Sequence, residues 1–270
     1  MEKIGPLEKL GTIWWFELYD ATPDSVSETE TSLVAEMDRF EETYSRFIPS
    51  SEISKLNKNK TLLNPKTELL DMLRLAEQAY KETDGVFNIA VKKHLDSIGY
   101  NAKYSFVEQK DVAQVPDLTD VLKFNDEKVE ILNDAEIDLG GLGKGYLIDL
   151  LAEKLVEELG CTEFLINGGG DMYATHHNGK PIQIGLKHPT EDELIGSTNL
   201  MNKGFAASSP SARQWTTKQG EARNHLVGND KPSPTYITAP STVEADIWAT
   251  SLSIKPELKP PSTIGSYIFG

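Results

Sequence analysis

The sequence predicts a mixed α+β fold, with helices flanking a sheet-rich core whose strands are joined mostly by hairpins. Three observations predict it. Amphipathic stretches with apolar residues at three- and four-residue steps occupy 24–44, 64–85 and 141–160. Short apolar or alternating runs between turn residues crowd the second half of the chain. Helices and strands do not alternate one for one, as a doubly wound parallel sheet would require.

TIWWFELY, residues 12–19, is β-branched and aromatic enough to read as a first strand. From Asp24 to Tyr44, the residues Val26, Leu33, Val34, Met37, Phe40 and Tyr44 form the apolar stripe of a helix with an acidic outer face. NPKTELLDMLRLAEQAYKETDG is the clearest helix signal. Asn64 reads as its N-cap, Pro65 as its first residue, Leu69, Met72, Leu73, Ala76 and Tyr80 as its stripe, and Gly85 lies just past its end.

Residues 92–120 show weak periodicity and scattered aromatics, which predicts an irregular insertion with one short helix inside a single domain spanning 1–270. KVEILN and EIDLG read as paired strands. GLGKGYLIDLLAEKLVEELG then runs through a glycine cluster into a second strong helix closed by Gly160. EFLIN, PIQIGLK, STNLMNKGFAAS, NHLVG and TYITAPS read as successive strands, 243–254 as a late helix, and STIGSYIFG as a closing strand.

The 270 residues carry 27 Lys and Arg against 42 Asp and Glu, a net charge of −15, which argues against nucleic acid as a partner and leaves an anionic ligand in need of a metal or backbone amides. Cys161 is the only cysteine, so an intramolecular disulfide and cysteine-based metal sites are excluded. No apolar run is long enough for an integral membrane segment, and no apolar leader precedes a cleavage site. The chain as given reads as cytoplasmic, with an exported form whose signal has been removed as the alternative.

Chemistry concentrates in IDLGGLGKGYLIDLL, residues 137–151, where four glycines stand at a strand-to-helix junction. Bare backbone there exposes amides to a ligand, as pyrophosphate sites require; a tight turn before a helix is the plainer reading. It is not a Walker loop, because Asp138 and Gly145 fill that motif's first glycine and its hydroxyl position. A Rossmann fingerprint would open a chain of βαβ units, whereas this run lies mid-chain. INGGGD, residues 166–171, reads either as a plain hairpin or as a second glycine cluster lining the same cleft.

In EADIWATSL, residues 244–252, Asp246 and Thr250 are one helical turn apart. A carboxylate and a hydroxyl suit Mg²⁺ better than zinc, with a carbonyl, water and substrate phosphate completing the octahedron. A surface charge and a back-bonded threonine are the plainer reading. His225 sits in a short apolar run; His94, His176, His177 and His188 lack the spacing of a metal site.

Taken together these segments resemble the ApbE-type FAD:protein FMN transferases. LGT (10–12), YSRFIPSSEISKLN (44–57), TDGVFNIAV (83–91), IDLGGLGKGYLID, INGGGD, GFAASS, NHLVG and EADIWATSL follow the family's order over roughly 10–254. The resemblance implies the family's architecture, a sheet-rich core flanked by helices. It also implies Mg²⁺-dependent transfer of FMN from FAD to a Thr or Ser hydroxyl of an acceptor protein bearing a flavinylation motif, with release of AMP. The alternatives are an FAD pyrophosphatase or an idle FAD-binding protein.

By the same resemblance, the metal ligands are Gly143 through its carbonyl, Asp246 and Thr250. His225 and Asp246 would be catalytic, His225 at the phosphates aiding deprotonation or orientation of the acceptor hydroxyl. FAD would be bound by Leu10, Phe47, Asp138, Gly140, Gly141, Lys144, Asn167, Gly169, Gly170, Asp171, Ser208 and His225. Three departures stand out. The family's Phe-Asp is Phe87-Asn88, its Thr-Ser-Gly is Ala207-Ser208-Ser209, and its Asp-Pro after the histidine segment is Gly228-Asn229-Asp230. The chain contains no acceptor signature, so the resemblance points to another polypeptide as target.

Overall fold

The computed structural model describes residues 1–102, 104–209, 214–216, 220, 222–229 and 232–269. Its frame is an antiparallel sheet of seven strands: β1 (Glu2–Lys9), β2 (Thr12–Leu18), β6 (Phe164–Gly168), β7 (Asp171–Ala174), β10 (Lys203–Ser208), β13 (Thr235–Ala239) and β14 (Gly265–Ile268), in that spatial order. The intervening strands are β3 (Thr61–Leu63), β4 (Leu122–Phe124) and β5 (Lys128–Ile131), which form a small sheet of their own. β8 (Ile182–Lys187) pairs with β9 (Leu194–Leu200), and β11 (Gln214–Thr216) with β12 (Ala222–Asn224).

The helices are α1 (Pro23–Tyr44), α2 (Glu52–Asn59), α3 (Thr67–Glu82), α4 (Lys92–Ser97), α5 (Leu118–Val121), α6 (Gly143–Glu157) and α7 (Thr242–Ile254). Strand alternation sorts the sheet's two faces. Ala206 of β10 and Ile237 of β13 point into the main core, which α1, α6 and α7 complete. Their neighbours Phe205 and Tyr236 point to the other face and join Ile184, Leu186 and Leu200 of the β8–β9 hairpin. This mixed α+β arrangement agrees with the expected fold. No helix among the described residues is long and apolar enough to cross a membrane.

Several expectations need correction. Asn64 is not the N-cap of α3: it lies in the left-handed region (φ 50°) and donates its N–H to Glu127, so the helix begins at Thr67 with Lys66 as cap. EIDLG is not a strand. Ile137 exchanges both of its backbone bonds with the side-chain amide of Asn57, at 2.8 and 2.9 Å, and KVEI pairs instead with β3 and β4. STNLMNKGFAAS is two strands, because Asn202 (φ 52°) reverses the chain between β9 and β10. Of NHLVG only Asn224 is in a strand, as the last residue of β12; His225 to Gly228 form a loop. The insertion holds two short helices, α4 and α5. β1, α2, β3 and β4 were not expected at all.

Candidate active site

Helices α6 and α7 enter the core at adjacent points because the sequence removes a side chain between them. A β-carbon on Gly145 would lie 2.6 Å from the carbonyl oxygen of Thr242 and 2.7 Å from Cα of Val243, so only glycine permits this approach. Asp246, one turn into α7, thereby meets the first turn of α6 and accepts the Gly145 N–H at 3.2 Å. Beside it lies a cavity of about 330 Å³, and Asp246 and Thr250 both line it.

Charge gathers at its floor. Lys144 reaches from α6 to Asp171 at the start of β7, and to Asp246 at 3.4 Å. Asp171 and Asp246 are 4% and 6% exposed. Burial pushes the Asp246 carboxyl well above the usual carboxylate range; the Lys144 ammonium and the Gly145 amide pull it down, and nearby Asp171 pushes it up. The other Asp171 oxygen accepts the Ala207 N–H at 3.3 Å, which ties the end of β10, and Ser208 with it, to the same wall.

The glycine loop forms the next wall. Asp138 accepts the Gly140 N–H at 2.9 Å and is ion-paired with Arg46 at 2.8 Å. Arg46, 7% exposed, also donates to Asp96 at 3.0 Å and to the Tyr100 carbonyl at 2.9 Å, and stacks 4.2 Å from the Phe47 ring centre. One guanidinium thus joins the glycine loop to the 92–120 insertion. That insertion brings an aromatic group to the cavity's edge, with Tyr104 stacked on Phe47 and Tyr100 on Trp215.

Asp138, Gly140, Gly141, Lys144, Gly169, Asp171, Ser208, His225, Asp246, Thr250 and Phe47 all line this cavity. Gly169 (φ 72°) makes the turn into β7, and a β-carbon there would collide with Thr12. Leu10 and Gly143 line an adjoining hollow of about 300 Å³ that shares Gly11, Phe47, Asp138, Gly140 and Lys144 with the first. Asn167 and Gly170 border neither. Asn167 faces the opposite side of the sheet, beside Trp15 and Leu165, and its side-chain oxygen accepts the Gly170 N–H at 2.9 Å, so both residues shape the hairpin.

Two departures from the family pattern have structural uses. Asn88 donates to the Pro116 carbonyl at 2.9 Å while accepting the Ala90 N–H, a pairing an aspartate could not make. Asn229 donates to the Ile254 carbonyl at 2.7 Å, which anchors the loop after His225 to the end of α7. Asp230 lies outside the described residues. Sequence reasoning gave no role to Arg46, Thr12 and Asp149, and read Gly145 only as one of four glycines exposing amides. The available signal for Asp149 was a lone carboxylate within the apolar run YLIDLLA.

The donor set fits a hard cation. It consists of the Asp246 carboxylate and Thr250 hydroxyl, with the Gly143 backbone across the glycine loop, and Asp171 and Asp246 pair with the same ammonium. No cluster of three or more His, Cys, Asp or Glu side chains fit to hold a metal occurs among the described residues. Phosphate oxygens and water would have to complete such a shell.

Residues 10–265 match the model of the ApbE family. A FAD:protein FMN transferase of Escherichia coli (strain K12) is 22% identical over 267 residues, covering 91% of this chain and 76% of that protein. The crystal structure of the ApbE protein of Thermotoga maritima superposes with a TM-score of 0.77 at 22% identity, over 91% of this chain and 84% of its own. The flavin transferase ApbE of Vibrio cholerae gives 0.75 at 16% identity, over 99% and 97%. Sequence order, fold and the assembled cavity agree, and the chain is a member of the ApbE family.

Proposed function

We propose that the protein transfers FMN from FAD to a Thr or Ser hydroxyl of an acceptor protein, with Mg²⁺ and release of AMP. One observation carries the reading: Lys144, Asp246, Thr250, the glycine loop and His225, distant in sequence, line a single cavity that adjoins a second hollow across Lys144. Two joined compartments that share Lys144 suit a dinucleotide whose diphosphate lies at the junction. The relatives' names support the same reaction.

In this reading the acceptor oxygen attacks the FMN-side phosphorus, and the bond from that phosphorus to the bridging oxygen breaks, so AMP leaves with the electron pair. The hydroxyl proton passes to His225, which the Asn224–Asn229 loop holds at the cavity wall. Lys144 and the loop amide of Gly141 offset charge on the phosphates. Asp246, Thr250 and the Gly143 carbonyl would hold the divalent cation, which when bound neutralises charge on the diphosphate and the departing AMP. Phe47 and the aromatics of the insertion offer stacking surface to a flat ring.

Incubation with FAD and Mg²⁺, with and without an acceptor polypeptide bearing a flavinylation motif, tests it. AMP release together with an acceptor mass gain of one FMN supports transfer. AMP release without acceptor modification would make the protein a pyrophosphatase, and neither product would make it a binding protein.

A further inference from the structure

Asp149 is half-buried on α6, one turn beyond Gly145 and on the same helix face. Its Oδ1 accepts the N–H of Thr242 at 2.8 Å and its Oδ2 the N–H of Val243 at 2.9 Å. These are the first two residues of α7, whose N–H groups have no partner inside the helix. Ser241, the N-cap, supplies only the next bond, its hydroxyl accepting from Glu244 at 3.3 Å. The opening turn of α7 is therefore capped largely from another helix. In the opposite direction, Asp246 of α7 accepts the N–H of Gly145 on α6.

We infer that Asp149 is a positioning residue of the site: its carboxylate fixes the height and rotation of α7 against α6, and so sets where Asp246 and Thr250 stand relative to Gly143 and Lys144. This rests on the metal-dependent reading above. Two oxygens taking two successive amides define an orientation where one bond would define only a distance. Gly145 supplies the close contact, Asp149 the registry, and Asp246 the return bond. A slip of α7 by a fraction of its pitch would move both proposed ligands together.

The test is a Mn²⁺ titration followed by electron paramagnetic resonance, with FAD present, on the wild type, Asp149→Asn and Leu73→Ala. Asparagine keeps the shape but turns an N–H₂ toward one of the two amides. Leu73 lies in the core on α3, away from the site, and its truncation lowers stability alone. The expected result is a Mn²⁺ dissociation constant raised at least about tenfold in Asp149→Asn and unchanged in Leu73→Ala. Wild-type affinity in folded Asp149→Asn overturns the inference while leaving the metal reading intact; absence of Mn²⁺ binding by the wild type overturns both. Amide exchange on the wild type covers the case in which Asp149→Asn fails to fold. Thr242 and Val243 should exchange as slowly as the interior of α7, and exchange at the rate of an open helix end overturns the inference.

Discussion

Gly145 and Thr242 bring two helix backbones into direct contact, with no room for a single methyl group between them. The contact sits one residue from Lys144 and one turn from Asp246, so packing and site geometry are the same feature here. Adding that methyl forces the helices apart.

Gly145→Ala is accordingly expected to lower unfolding stability by about 1–3 kcal/mol, the usual cost of overpacking. Unlike most core substitutions it should also lengthen the Asp246–Gly145 bond and weaken metal binding in the folded fraction. Urea denaturation and a Mn²⁺ titration on one preparation measure the two effects. Stability equal to wild type would show that the helices adjust without strain.

Asp246→Ala is expected to abolish AMP release from FAD and Mg²⁺ while the fold persists. The carboxylate is costly to bury, and Lys144 keeps Asp171 as its partner after the change. Chromatographic assay of AMP and a thermal melt report on both. Full Mg²⁺-dependent turnover in this variant would remove Asp246 from the mechanism.

Asp149 gives stability a distinctive pH dependence. Burial raises its carboxyl from 3.8 to about 6, against the opposing pull of the Val243 and Thr242 amides. Between those values the folded state binds more protons than the unfolded one. This group's contribution therefore falls as pH rises from about 4 to about 6 and stays level above, a change of about 3 kcal/mol. Asp149→Asn should lack that decline, so the wild-type minus variant difference in urea-derived stability should shrink with pH across the window. A difference independent of pH would place the Asp149 ionisation elsewhere.

Asn229→Asp brings an acid toward His225 at the cost of the donor that meets the Ile254 carbonyl. Two acceptors would then face each other, and the expected loss is about 1–3 kcal/mol. The midpoint of urea denaturation measures it. An unchanged midpoint would mean that the Asn229–Ile254 bond carries no weight.

The chemistry-bearing segments were legible where local pattern determines structure. The stripes of α1, α3 and α6 are read directly from residue spacing, and Asp246 and Thr250 share a helix face by periodicity alone. The long-range partners were not. EIDLG has a genuine strand pattern, but its partner is the side chain of Asn57, which no periodicity reveals. β1 was hidden because Gly5-Pro6 reads as a turn; the sheet accepts it because β1 lies at an edge and its register shifts between Ile4 and Leu7. Asn167 was expected at the ligand through the family resemblance, yet strand alternation sends it to the far face. Arg46 acts through groups fifty and more residues away, information that lies only in the tertiary fold.

In the large sheet β2 lies beside β6, and the N–H of Tyr19 closes onto the carbonyl of Glu163 at 2.8 Å. Everything described between those two residues, including six helices and a separate small sheet, leaves the frame as one loop and returns to it. Closing so long a loop is entropically slow, whatever its helices form locally before it is done. On the ribosome, the glycine loop and the Lys144–Asp171 pair would wait for Asp246 and Thr250 until α7 had emerged. In the proposed reading, capture of the dinucleotide would therefore report completed folding, and a ligand present during synthesis would select chains that have already finished.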